Sequence, residues 1–307
     1  MNHNNSPKIS VITPSYNSSE YLEQAIQSVF DQNYANFEHI IVDGASTDGT
    51  LEILKRFPHL KWISEPDDGQ SDAMNKGFAM SSGEIIVYLN SDDYFLPDAF
   101  NTVVPYFSKG AKFIVGKVKV IMEDGSFYIN DPKVEFTEML KWWQPNAFSQ
   151  NPVGYFYLRE VQEAVDGFNV SNHFSMDVEF LLEAAKKYDF TKIPDILGVY
   201  RCIPGTKTYG TSGAEDLRKK LEFADRYLID LGKNYVEHYE KEKKHFLAVQ
   251  KRYEGEQVYI NELKRHFKSK SFASFAFTCI TLLFKKPVLL PKRLGRKIKR
   301  LFTEGSD

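Results

Sequence analysis

Short apolar runs alternate with helix-period segments through the first third of the chain, and each run ends in polar residues. Residues 8–13 (KISVIT) form a strand rich in β-branched side chains, broken by Pro14, Ser15, Tyr16 and Asn17. Ser18 or Ser19 then caps a helix in which Leu22, Ala25, Ile26, Val29 and Phe30 recur at helical spacing as one apolar face. Residues 37–42 (FEHIIV) are a second strand, closed by Asp43 and a turn-rich GASTDG. A helix is expected over about 50–57, a strand over 60–63, a turn at EPDDG and a third helix over about 71–80. Residues 85–89 (IIVYL) are continuously apolar, as a strand buried on both faces requires, and run into Asn90, Ser91, Asp92 and Asp93.

This alternation predicts an α/β fold, a Rossmann-like parallel or mixed sheet flanked by helices. Such a sheet gathers its strands' carboxyl ends on one rim, where open α/β sheets bind ligands. The polar residues there are Tyr16 and Asn17, Asp43, Asp67 and Asp68, then Asp92 and Asp93. Adjacent carboxylates repel unless a proton or cation lies between them. Hard cations take one or two carboxylates together with substrate phosphates, so Asp92 and Asp93 read as a metal–diphosphate site. A second reading makes them helix caps, with Pro97 in the first turn. The first turn, PSYNSS, has no GxGxxG, and no GxxxxGK[ST] occurs, so a glycine-rich phosphate cradle is excluded.

ISVITPSYN, IIVDGASTDGT, SEPDDGQSDAMNKG and YLNSDD, in that order, resemble the successive motifs of family-2 glycosyltransferases with the A-type fold. The resemblance is dense to about residue 105 and looser to about 210. It implies an inverting, metal-dependent transfer of a sugar from a nucleotide-diphosphate donor to an acceptor hydroxyl, with Mn²⁺ or Mg²⁺ at Asp92 and Asp93. Pro14 and Tyr16 would line the base, with Tyr16 stacked on it, and Asn17 would lie beside them. Asp43 would accept a hydrogen bond from a base ring N–H, and Asp72 would lie near ribose and diphosphate. Asn90 and Ser91 complete the donor side; Asn90 stands where the family often has the first Asp of Asp-x-Asp, although a related subgroup also reads Asn-Ser-Asp-Asp. Asp177 would be the catalytic base, in Met-Asp where the family usually has Glu-Asp. Locally, Asp43 also fits an Asx turn, Asp177 a helix N-terminus and Lys76 a solvated helix face.

Residues 112–122 read as a strand, paired with 127–129 across Asp124-Gly125. Trp142 and Trp143 suit either stacking on acceptor sugars or a place in the core. Val178, Leu181, Leu182 and Ala185 give the helix after Asp177 its apolar face. The loop 204–210, with Lys207 and the preceding Arg201, suits closure over the diphosphate or a linker. The expected organisation is a donor-binding half (1–105), an acceptor-binding and catalytic half of the same domain (106–213), and a helical extension (214–307).

Composition changes the picture only at the C-terminus. Of 39 Lys and Arg, twelve lie in 264–300, where none of the 41 Asp and Glu fall, so a basic tail follows an acidic body. The tail's longest apolar tract, 272–284, is too short to span a bilayer but suits the headgroup layer of an anionic membrane across 264–302. Packing against the acidic body is the other reading. The 215–251 helix, striped by Leu217, Leu221, Ala224, Leu228 and Leu231, suits packing or a homodimer. Two distant cysteines exclude a disulfide framework and a zinc cluster. MNHNNSPK lacks the apolar core of a secretory signal, so a cytoplasmic, peripherally membrane-bound enzyme is expected. Its acceptor would be a glycan or lipid-linked; no nucleic-acid partner is expected. The rival functions are a sugar nucleotidyltransferase, which would want a Gly-, Arg- and Lys-bearing first loop, and a non-catalytic nucleotide-sugar-binding scaffold.

Overall fold

The computed structural model describes residues 6–139, 146–172 and 175–204, with the isolated positions Lys244 and Ala248. These segments fall in the unit Met1–Thr211, apart from the two isolated positions. The loop carrying Lys207, Trp142 and Trp143, the 215–251 helix and the basic tail lie outside the described residues.

The chain opens with β1 (Ile9–Ser15), α1 (Leu22–Phe30), β2 (Phe37–Asp43), α2 (Thr50–Leu54), β3 (Leu60–Ser64), α3 (Gln70–Met80) and β4 (Ile85–Tyr88). It continues through β5 (Tyr94–Phe95), α4 (Ala99–Ser108), β6 (Phe113–Met122), β7 (Phe127–Asn130), α5 (Phe136–Met139), β8 (Tyr155–Leu158), α6 (Arg159–Ala164), α7 (Met176–Ala185) and β9 (Phe190–Cys202). One sheet takes nine strands in the order β3-β2-β1-β4-β8-β6-β9-β5, with β7 added to β6. β1 to β4 are mutually parallel, and β8 runs antiparallel to both β4 and β6. Strands from both expected halves thus share one mixed sheet.

The period of two decides which side chain meets which helix. Ile9 and Val11 of β1 and Ile85 and Val87 of β4 share a cluster with Ala25 and Val29 of α1 and Phe100 and Val103 of α4. Their alternates, Ile12, Ile86 and Tyr88, pack with Ala73 and Met74 of α3 and Phe180, Leu181 and Ala184 of α7. Continuous apolar runs are therefore needed because both faces are covered. α3 lies closest to the sheet: a Cβ on Gly77 would sit 2.3 Å from Ile12 Cγ2, so only glycine fits there.

Three local expectations change. Phe30 leaves the α1 face: 54% exposed, its ring lies 4.9 Å from that of His59. No side chain caps α1, although Ser18 accepts the N–H groups of Tyr21 and Leu22 through its carbonyl. In α7 the buried positions include Phe180 and Ala184, and Ala185 is only half-buried.

Candidate active site

Ser15, Asp43 and Ser64 are in register across β1, β2 and β3, so these strands end level on one rim. The loops above them are bonded to one another. Asn17, held at φ 48°, donates its backbone N–H to Ser46 Oγ (2.7 Å) and accepts from the Thr47 N–H (2.9 Å). Ser18 donates its N–H to Thr50 Oγ1, and its hydroxyl meets that of Ser91 at 2.8 Å. Asn17, Ser18 and Ser91, from loops after β1 and β4, thus fix one floor.

Asp43 ends β2 fully buried. Its carboxylate accepts from the Ser46 N–H (2.9 Å), Ser46 Oγ (2.5 Å) and Ser64 Oγ (2.7 Å), so it serves the local turn. Pro14 is buried within β1, which leaves Tyr16, 66% exposed, as the aromatic face at this corner. Asp72, in the first turn of α3, accepts from the Asp68 N–H at 3.1 Å and pairs with Lys76 at 3.1 Å. Those bonds, the Asp68 N–H first, lower its pKa. Lys76 also pairs with Glu65 at 3.0 Å.

Asp92 and Asp93 are not helix caps: β5 follows them directly, and α4 starts only after Asp98. The two carboxylates differ. Asp93 is fully buried, with Oδ2 accepting from Asn151 Nδ2 (2.7 Å) and Asn90 Nδ2 (3.1 Å) and Oδ1 from the Arg201 backbone N–H (2.9 Å). Burial, then the charge of Asp92, pushes its pKa well above the usual carboxylate range. Asp92 is only half-buried, and among the described residues no side chain is hydrogen-bonded to its carboxylate. Burial raises its pKa as well, more than Arg201 lowers it. Gln70 of α3 donates to Asn90 Oδ1 at 3.0 Å, joining the two motifs.

The sequence pattern does not single out Asn151, and it groups Arg201 with the 204–210 loop over the diphosphate, whereas the structure sets Arg201 against Asp92 and Asp93. The Asn-Pro pair at 151–152 marks a turn, which was the available signal. Arg201 ends β9 and bonds the Asp92 carbonyl and Gln24, with its guanidinium 4.9 Å from the Tyr21 ring and 4.7 Å from that of Tyr94. It braces the Asp92–Asp93 backbone from outside.

Asp177 stands in the first turn of α7, Oδ1 accepting from the Val178 N–H at 2.9 Å. The loop before α7 is fastened to α3. Asn75 grips the Phe168 backbone through both side-chain atoms, donating to its carbonyl (2.7 Å) and accepting from its N–H (2.9 Å). Ser71 Oγ donates to the Asn172 carbonyl at 3.3 Å. Asp177 also acts on Tyr155, at the start of β8, whose buried hydroxyl has no partner among the described residues. Burial, then the Asp177 charge, pushes that phenol's pKa up.

Among the described residues no three His, Cys, Asp or Glu side chains form an all-protein metal cage. What is present is one half-buried carboxylate with no side-chain hydrogen bond among the described residues, backed by a fully buried one. That donor set fits a hard cation completed by substrate phosphate oxygens.

The chain spans half or less of the curated relatives compared here. It is 33% identical over 127 residues to a Bacillus subtilis (strain 168) glycosyltransferase named for teichuronic acid biosynthesis, covering 39% of this chain and 50% of that one. It is 26% identical over 199 residues to the hyaluronan synthase of Pasteurella multocida, covering 63% of this chain and 20% of that one. Among solved structures, S. aureus TarS 1–349 with UDP-GlcNAc superimposes with a TM-score of 0.55 at 18% identity, over 69% of this chain and 65% of that one. The mannosyltransferase PcManGT of Pyrobaculum calidifontis, with GDP-Man and Mn²⁺, gives 0.58 at 19% identity, over 93% and 83%. These likenesses establish the A-type glycosyltransferase fold. The model of the family described as "Glycosyl transferase family 2" matches residues 10–166, and the chain belongs to that family of glycosyltransferases.

Proposed function

We propose that this glycosyltransferase is inverting and cation-dependent, moving a sugar from a nucleotide-diphosphate donor to an acceptor hydroxyl in cell-surface polysaccharide assembly. The observation that carries this reading is the pair at the end of β4: Asp92 half-buried with no side-chain hydrogen bond among the described residues, Asp93 buried behind it on three N–H donors. The relatives' names and the neighbours' UDP-GlcNAc, GDP-Man and Mn²⁺ support it.

In this reading Asp92 ligates Mn²⁺ or Mg²⁺, and Asp93 fixes the strand end without touching the ion. The sequence pattern sets the metal at Asp92 and Asp93 and leaves open which of them ligates it directly; the burial of Asp93 favours Asp92. The bound cation would neutralise charge developing on the diphosphate as it leaves. Tyr16 offers its ring to the base, and Asn17, Asn90 and Ser91 shape the donor floor. Asp43 holds the turn beneath the base, and Asp72 lies at the start of α3 on the diphosphate side. Asp177 accepts the proton of the acceptor hydroxyl while that oxygen bonds the anomeric carbon and the carbon–diphosphate oxygen bond breaks. Lys207, outside the described residues, is a candidate cation for the diphosphate.

The test is donor turnover with water or acceptor as nucleophile, across UDP- and GDP-sugars with Mn²⁺ or Mg²⁺. Turnover that chelator abolishes is expected. Thermal stabilisation by nucleotide without turnover would favour the scaffold.

A further inference from the structure

Among the described residues β7 pairs with β6 alone, and it carries an aromatic ring that the donor chemistry does not use. Tyr128 exposes 43% of its surface. Isolated exposed aromatics are ordinary. This one is distinguished by how it is held.

Its hydroxyl donates to Gln150 Oε1 at 2.8 Å, so the ring is oriented although it meets water. Gln150 is fixed in turn, its backbone N–H bonded to Asn130 Oδ1 at 3.0 Å. The next residue, Asn151, gives its amide to Asp93 at 2.7 Å. A second route leads to the same carboxylate. Val120 of β6 is in register with Tyr128 on one side and Tyr200 on the other. Arg201, which follows Tyr200, gives its backbone N–H to Asp93 at 2.9 Å. Two strand spacings put the Tyr128 backbone about 10 Å from that of Tyr200. The Tyr128 backbone therefore lies on the wall whose Asn151 and Arg201 bond the buried carboxylate Asp93.

A pyranose ring has an apolar C–H face and a rim of hydroxyls. A tyrosine fixed by its hydroxyl offers a flat apolar surface with a polar tip. Gln150 accepts from Tyr128 through oxygen, and its amide nitrogen carries two further N–H donors. Holding both groups in place before binding reduces the entropy lost on association. Neighbouring Phe127 is 59% exposed but belongs to the opposite face of the strand, under the Lys119 ammonium at 4.4 Å.

We propose that Tyr128 and Gln150 form an acceptor subsite, in which the Tyr128 ring carries one sugar of a glycan acceptor and the Gln150 amide bonds its hydroxyls. This deepens the proposed function and rests on its acceptor being a saccharide. The probes are maltohexaose, chitohexaose and a hyaluronan hexasaccharide, observed by saturation-transfer NMR on the full-length chain. Calorimetry with UDP or GDP and Mn²⁺ runs in parallel.

At least one hexasaccharide should bind the wild type. Tyr128→Ala should weaken it by about 10-fold, and Tyr128→Phe, which keeps the ring, by only a few-fold. Nucleotide affinity should not change in either variant, which also verifies that they fold. Equal saccharide binding by Tyr128→Ala, or no binding of any probe by the wild type, would overturn the subsite. A wild type that binds saccharide through Tyr128 but no nucleotide would keep the subsite and sink the donor reading instead.

Discussion

Glu38, towards the amino ends of the parallel strands, and Asp93, past the carboxyl end of β4, are both buried carboxylates, and the fold compensates them in opposite ways. At the amino ends Glu38 accepts from Lys61 (2.6 Å), Lys8 (2.8 Å), Ser10 Oγ (2.6 Å) and the Ser82 N–H (2.7 Å). Burial alone would raise its pKa; the two ion pairs and the hydrogen bonds outweigh burial and hold it far below the usual range. At the carboxyl ends Asp93 is as deeply placed, but its three donors are uncharged N–H groups and its pKa is pushed up. Glu38 is a finished structural element. Asp93 and Asp92 are a carboxylate pair whose burial the nearby Arg201 guanidinium only partly offsets, and such an undercompensated pair is where a further cation belongs.

The largest effect expected at the carboxyl rim is on chemistry. Asp177→Asn should lower turnover by about 10²–10⁴-fold, the range of general base catalysis, while donor affinity stays near wild type. Full turnover in that variant would remove Asp177 from the mechanism.

The amino rim should answer in stability alone. Glu38→Ala leaves the buried Ser10 hydroxyl and the Ser82 N–H without their charged acceptor, a loss of about 2–4 kcal/mol in denaturant unfolding, with nucleotide affinity unchanged. Because the pKa of Glu38 is depressed in the folded state, its contribution is present above about pH 4.3 and is lost as pH falls towards the folded value. The deficit of Glu38→Ala should therefore shrink on acidification; a deficit that grew would contradict the sign.

Asp93→Asn should invert that pattern. It removes a buried charge and sets one amide against the Arg201 N–H, so stability should stay within about 1 kcal/mol of wild type. Mn²⁺-dependent nucleotide affinity should fall by about 10–100-fold, as when a group supporting a ligand is lost. A large stability loss with unchanged affinity would make Asp93 a second Glu38. The smallest effect is that of Asn75→Ala, which releases the loop before α7. Turnover should drop by about 10-fold, the equivalent of one or two hydrogen bonds, without a change in nucleotide affinity.

What the sequence reveals here follows from how local each determinant is. The apolar runs of β1, β2 and β4 and the polar residues that end them are contiguous, so strand order of appearance, rim and candidate carboxylates are legible. The antiparallel insertion of β8 between β4 and β6 depends on pairing across about 40 to about 70 residues, as in Val115 with Tyr155 and Ile86 with Tyr157, and leaves no local pattern. The same holds inside the site. Asp92 and Asp93 are neighbours of identical type, and only Asn151 and Arg201, brought in by β8 and β9, make one buried and the other available. Phe30 shows the converse: it fits the helical period of α1, yet lies past the edge of the sheet and packs on His59 instead.

The most direct test of the account is calorimetric titration of UDP and GDP into the full-length chain with and without Mn²⁺, for wild type and Asp92→Asn. Asp92 as the cation ligand predicts wild-type binding that depends on Mn²⁺ and a variant in which Mn²⁺ adds nothing to the affinity. An Asp92→Asn chain that keeps its Mn²⁺-dependent affinity would contradict it.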